Sequence, residues 1–166
     1  MKTLTIFRHA KSSWDHPGLK DRDRPLNKRG ERDAPIMGER MKAAGIRPSL
    51  ILSSPAVRTW QTAKILAKSI SYPTEFLQRD PALYHAGLNR LYDVIAAQDE
   101  GFNSITLVGH NPGLTDLAND IIPNLTDNLP TAGFVSMLID SDDWDLRIRK
   151  SAKLLEYDFP KRLRPG

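Results

Sequence analysis

Two histidines and two arginines stand where they could handle an anion together. Arg8 and His9 close the apolar run Leu4-Thr5-Ile6-Phe7, and His110 closes a second, Ile105-Thr106-Leu107-Val108-Gly109. A third run, Leu50-Ile51-Leu52, breaks at Ser53-Ser54-Pro55 and delivers Arg58 to the start of the next segment. Guanidinium groups bind oxyanions bidentately. A histidine held among them gives up its proton easily, because neighbouring cations disfavour imidazolium, and a neutral imidazole facing a phosphate is a nucleophile. The chemistry suggested is phosphoryl transfer onto nitrogen. The plainer reading makes His9 and His110 ordinary hydrogen-bonding residues at strand ends, and it requires three strand ends to carry anion-binding groups by coincidence.

The residues meet only if the three runs are buried parallel strands of one sheet, whose carboxyl ends are where open α/β sheets place their ligands. The rest of the chain supports that arrangement, since apolar strands alternate with helical patterns in the manner of βαβ units. Thr3 to Arg8 reads as the first strand. The polar stretch from Ala10 to Leu26 has no clear periodicity and is long for a βα connection, which suggests a lid over the site. Asn27 is placed to cap a helix reaching about Ala44 and stopped by Gly45, with Pro35 either kinking it or splitting off its first turn. Ala56 to Ser69 reads as a helix, Thr74 to Leu77 as a short strand and Leu88 to Ala97 as a helix. Ile105 to Val108 reads as a strand and Leu114 to Ile122 as a helix ended by Pro123. Phe134 to Ile139 and Leu146 to Ile148 look like two closing strands, the second antiparallel because the Asp-rich turn between them is too short for a crossover. The expected fold is therefore α/β, a three-layer α/β/α arrangement on a mostly parallel sheet with an antiparallel edge strand. Residues 1–166 are expected to form one domain, a length sufficient to bury one core.

Composition narrows the partners. A net charge of +4 is modest, and the basic residues of Lys20-Asp21-Arg22-Asp23-Arg24 alternate with acidic ones instead of forming a nucleic-acid stripe. The basic tail Lys161-Arg162-Leu163-Arg164 reads as a solvated terminus, so nucleic acid is set aside as the main partner. No apolar stretch is long enough to span a bilayer, and the amino terminus lacks the pattern of a secretory signal. Zero cysteines exclude disulfides, thiol catalysis and Cys-ligated zinc. The expectation is a soluble cytoplasmic protein.

At this point the chain resembles the histidine phosphatase superfamily, the fold named after phosphoglycerate mutase. The opening motif is matched by Arg8-His9-Ala10-Lys11-Ser12-Ser13-Trp14-Asp15, and Pro25-Leu26-Asn27-Lys28-Arg29-Gly30 looks like the family's helix start. The second-arginine motif corresponds to Ser53-Ser54-Pro55-Ala56-Val57-Arg58-Thr59-Trp60-Gln61-Thr62-Ala63, and the second-histidine motif to Gly109-His110-Asn111-Pro112. Short length and the Gly-His-Asn-Pro form point to the SixA-like phosphohistidine phosphatases. The resemblance implies that His9 accepts the phosphoryl group as a phosphohistidine intermediate, which water hydrolyses. Arg8, Arg58 and His110 would hold the phosphoryl oxygens. It implies no cofactor and no metal, since two guanidinium groups supply the charge that a cation supplies elsewhere.

Three departures from the family pattern matter. Ala10 replaces the motif glycine. Asp15 replaces a phosphate-contacting asparagine and would repel phosphate unless Lys11 or Arg22 neutralised it, so that role is not transferred. Ala82 stands where many members carry a glutamate general acid. An alkoxide needs a proton as the P–O bond breaks, whereas imidazole leaves easily, so a site without that acid favours phosphohistidine over phosphate monoesters. Asp80 and His85 are the substitute donors to test, Asp80 having a plainer reading as a turn residue before Pro81 and His85 being followed by an Ala86-Gly87 step that suggests close backbone approach. Ser12 and Asn111 complete the candidate substrate region, and His16 reads as exposed. The expected substrate is a phosphorylated protein, a phosphohistidine domain, or else a small phosphorylated molecule. Rival readings are a mutase or sugar phosphatase on the same scaffold, a metal site built from His9, His85, His110 and Asp80, which the adjacent arginines oppose, and a non-catalytic phosphate-binding module.

Overall fold

The computed structural model of the chain describes residues 1–162. Six strands form one sheet in the order β3-β2-β4-β1-β5-β6, comprising β1 (Lys2–Arg8), β2 (Leu50–Ser53), β3 (Gln78–Arg79), β4 (Ser104–Gly109), β5 (Phe134–Asp140) and β6 (Ser151–Asp158). β1, β2, β3 and β4 are parallel, and β5 runs against both β1 and β6, so antiparallel pairing is confined to one side of the sheet. The helices are α1 (Lys28–Ala43), α2 (Val57–Ser69), α3 (Leu88–Ala96) and α4 (Gly113–Ile121).

Alternation along each strand sends successive side chains to opposite faces and divides the core in two. Leu4 and Ile6 of β1 pack with Leu52, Leu107 and Met137 against Leu91 and Ile95 of α3 and Leu117 of α4. Phe7 faces the other way and joins Ile51, Val108 and Phe134 against Met37 and Met41 of α1 and Leu66 of α2. A three-layer α/β/α structure results. Asn27 caps α1 as expected, its side chain accepting from the Gly30 amide at 2.8 Å. Pro35 lies inside one uninterrupted helix and does not split it.

Two strand expectations are overturned. Thr74–Phe76 is a 3-10 turn, and β3 is the following pair Gln78–Arg79, both exposed. Leu146–Ile148 is also a 3-10 turn, in which Leu146 is buried beside Trp144 in the first core layer, and the closing strand is β6. Lys153, Leu154 and Leu155 are exposed in succession, so no alternation shows there: the β5–β6 register shifts between Ser136 and Met137, leaving Leu155 without an opposite residue, while Ala152 and Tyr157 on either side pack against the core. Of the basic tail, Arg162 pairs with Glu156 at 3.2 Å, while Leu163 and Arg164 lie outside the described residues. Among the described residues, no helix is long and apolar enough to cross a membrane.

Candidate active site

Strand order brings the chemistry together. β1 and β4 are neighbours in register, Arg8 opposite Gly109, and β2 lies on the far side of β4 with Ser53 opposite Val108. The residues that follow, His9, His110 and Ser54-Pro55, therefore leave the sheet side by side, and the first turn of α2 adds Arg58. A cavity of about 220 Å³ opens there, lined by Arg8, His9, Arg58 and His110 and also by Ser12, His85 and Asn111.

His9 is only 8 % exposed, and its Nδ1 lies 2.7 Å from the Ala10 carbonyl oxygen. A carbonyl only accepts, so Nδ1 carries the proton and the lone pair is left on Nε2. Burial pushes the His9 pKa down to about 3; the Ala10 bond, next in size, pulls upward, and the charges of Arg58, Arg8 and Arg24 each add a smaller downward push. Burial, then the neighbouring His9 and Arg58, lower His110 to about 2. Both imidazoles are neutral at ordinary pH, with ring centroids 5.4 Å apart. His110 sits 2.7 Å from Ser54 Oγ through Nε2, and Arg58 Nη2 lies 3.4 Å from its Nδ1.

Both arginines are anchored and incompletely satisfied. Arg8 Nη1 donates to the Leu129 carbonyl at 2.9 Å, and Arg58 donates to the Asp21 backbone carbonyl at 2.7 Å and to its carboxylate at 3.0 Å. The Nε–H groups of Arg8 and Arg58 are buried with no partner among the described residues, and a bound anion would satisfy them. Asn111 lines the cavity, but its amide is engaged: its oxygen accepts from Thr115 and its nitrogen donates to Asn128 Oδ1 and the Leu129 carbonyl. It ties the loop holding Leu129 to the start of α4. Ser12 Oγ accepts from Arg24 Nη1 at 2.9 Å.

Asp80 is corrected as a proton-donor candidate. Its carboxylate accepts from the Ala82 amide at 2.9 Å as the cap of a 3-10 turn, and it does not line the cavity. The ligand set His9, His85, His110 and Asp80 is therefore not assembled. His85 does reach the cavity, on left-handed backbone at φ 49°. The close approach beside it belongs to Gly113 and not Gly87, which has open space at its Cβ position. A Cβ on Gly113 would stand 2.0 Å from the Ala86 carbonyl oxygen. Ala10 is fully buried with its amide donating to Thr62 Oγ1, Asp15 is exposed and lines no part of the cavity, and His16 is exposed as expected.

The stretch 10–26 contributes more than a cover. Ser12 bridges to Leu26, Arg24 is buried, and Asp21 lines the cavity. Asp21 was not among the sequence candidates. Its Oδ2 accepts from Arg58, from Tyr84 Oη at 2.5 Å and from His85 Nε2 at 3.0 Å, and its Oδ1 accepts from Arg24. Burial raises its pKa, but the bonds from Tyr84, His85 and Arg58, with the Arg58 charge, outweigh that and hold the carboxyl well below the usual carboxylate range. Trp14 stands at the rim with the Arg24 guanidinium 3.6 Å from its ring centroid. The only sequence signal for Asp21 and Arg24 was their place in a long loop facing a strand-end site.

Comparison with known proteins bears on the family and the fold. The profile of the histidine phosphatase superfamily (branch 1) matches residues 4–83. An uncharacterised protein of Picosynechococcus sp. is 32 % identical over 143 residues, covering 81 % of this chain and 83 % of that protein. The chain belongs to the histidine phosphatase superfamily. An uncharacterised chloroplastic protein of Arabidopsis thaliana is 33 % identical over 129 residues, 71 % of this chain, and the match spans 58 % of that relative's length. Among solved structures, a SixA from Agrobacterium tumefaciens superposes with a TM-score of 0.81 at 28 % identity, covering 96 % of this chain and 98 % of that one. The phosphoglycerate mutase-like fold is thereby established, and family and fold together support a phosphatase.

Proposed function

We propose that the chain is a metal-independent phosphatase that works through a phosphohistidine on His9, and that its substrate is phosphohistidine in a protein. In the first step the Nε2 lone pair of His9 bonds to phosphorus while the substrate P–N bond breaks, its electron pair remaining on the departing imidazole. In the second, water attacks phosphorus, the bonding pair returns to His9 Nε2, and phosphate leaves with the water's oxygen. Arg8 and Arg58 hold the equatorial oxygens, where charge accumulates, and their buried Nε–H groups are donors already in place. The Ala10 carbonyl keeps a proton on Nδ1 of His9 in both steps, so the intermediate also releases a neutral imidazole.

The observation that carries the substrate class is the state of Asp21. It is the only carboxyl lining the cavity among the described residues, and it is held ionised. Ala82 packs against the first core layer and is not among the residues lining the cavity, so no carboxylic acid stands ready to protonate an alkoxide. Acid catalysis contributes about a hundredfold or more. Turnover of a phosphohistidine peptide should therefore exceed that of phosphoserine or 3-phosphoglycerate by at least that factor, with an aryl phosphate between them. Radiolabel from the substrate should be trapped on wild-type protein and not on His9→Ala. An alkyl phosphate as best substrate would refute the substrate class, and a labelled or active His9→Ala protein would refute the nucleophile.

A further inference from the structure

In-line phosphoryl transfer places the leaving group on the side of phosphorus opposite the nucleophile. His9 lies buried, so the leaving group faces the solvent side of the cavity, where the Asp21 side chain is 41 % exposed. A carboxylate there is unexpected for a site that binds phosphate, since it repels the dianion it sits beside. Its hydrogen bonding shows what it accepts. Oδ2 already takes three donors, from Arg58, Tyr84 and His85, one more than its two lone pairs. The most exposed of these donors is His85, half exposed where Arg58 is buried and Tyr84 partly so. Its ring lies 4.8 Å from that of His110, so the chain already places an imidazole N–H on Asp21 at the cavity mouth.

We propose that Asp21 is a specificity-determining residue: its carboxylate accepts the N–H of the leaving imidazole in the place His85 holds in the free enzyme, and so selects phosphorylated nitrogen over phosphorylated oxygen. This rests on the phosphatase reading above. A phosphorylated imidazole leaves as neutral imidazole only when its second nitrogen carries a proton; otherwise it must leave as imidazolate. A carboxylate on that N–H favours the protonated ring. As the P–N bond breaks, its electron pair goes to the departing nitrogen, the far proton stays on the ring, and no acid is consumed. An alcohol leaving group has no second N–H to offer, and a phosphorylated carboxylic acid brings a negative charge towards Asp21.

The test uses two small substrates, phosphoimidazole and p-nitrophenyl phosphate, with the wild type, Asp21→Asn and His85→Ala. The readout is the ratio of the two kcat/KM values, which a general disturbance of Arg58 would leave alone. Asp21→Asn should lower the ratio of phosphoimidazole to aryl phosphate at least tenfold. It should also move the alkaline limb of phosphoimidazole turnover to lower pH, because the variant no longer holds the ring proton. His85→Ala should keep or raise the ratio. An equal loss on both substrates in Asp21→Asn would overturn the proposal, as would a ratio that falls in His85→Ala and not in Asp21→Asn, or a wild type inert towards phosphoimidazole. A wild type that turns over phosphoimidazole but no phosphohistidine protein would end the protein-substrate reading and leave the role of Asp21 standing.

Discussion

Folding this chain requires burying two unprotonated histidines beside arginines, and that should appear as a loss of stability in mild acid. The pKa of His9 falls from 6.5 to about 3 and that of His110 to about 2, burial being the first cause in each. Above pH 6.5 neither the folded nor the unfolded chain binds these protons. Below it the unfolded chain binds both while the native one refuses them, so stability falls with pH, by about 1.4 kcal/mol per unit for each group. At pH 5.0 each histidine would cost about 2 kcal/mol, about 4 kcal/mol together, as an upper bound because the site relaxes and admits water. That is a large share of the ~5–15 kcal/mol typical of a domain. Urea unfolding at pH 7.5 and 5.0 measures it. Performing the same pair of measurements on the His9→Gln/His110→Gln double variant subtracts the carboxylates, which titrate mainly lower. The wild type should lose 2–4 kcal/mol more than the variant over that interval. A difference below about 1 kcal/mol would show that the native site takes up protons freely and that His9 is not held neutral by its surroundings.

Arg58→Ala should weaken both binding and turnover, because one guanidinium serves the bound phosphate and the transition state. Loss of charged hydrogen bonds predicts a ten- to hundredfold weaker affinity for tungstate by calorimetry, and an unchanged affinity would remove Arg58 from the anion site. Gly113→Ala should destabilise the protein by about 1–3 kcal/mol, the usual scale of overpacking, because its Cβ would collide with the Ala86 carbonyl. A thermal unfolding midpoint equal to that of the wild type would contradict the close contact between α4 and the His85 turn.

The parts legible in the sequence were those whose physics is local. The runs ending at Arg8, Ser53 and Gly109 are continuous and apolar because their strands are covered on both faces, and a run that stops at a charged residue marks a strand end. Asn27 was legible because a cap acts on amides three residues away. The failures have equally local causes. Leu146-Arg147-Ile148 alternates like a strand, but a 3-10 turn can also bury one apolar residue and expose the next. β3 has two exposed polar residues and so nothing for a hydrophobic pattern to detect. Asp21 acquires its place only when residues 10–26 fold across the cavity to meet Tyr84 and His85, 63 and 64 positions away. No spacing in one stretch of chain encodes such a meeting.

The absent glutamate at Ala82 and the ionised Asp21 belong to one account. A phosphoryl group passing from oxygen to His9 exchanges unlike partners, and a proton donor is needed to make the oxygen depart. Passing from one imidazole to another, it exchanges like for like, and the barrier depends on each ring holding a proton on its far nitrogen. His9 has that proton held by the Ala10 carbonyl. On the proposal above, Asp21 holds it on the substrate ring. The requirement is then an acceptor on each side of the phosphorus, and a carboxylate that Tyr84 and Arg58 keep ionised after His85 gives way meets it on the outer side. Ala82→Glu alone should therefore not create an efficient monoesterase, read as kcat/KM on an alkyl phosphate, because residue 82 does not line the cavity and the carboxylate that does, Asp21, still disfavours anionic leaving groups.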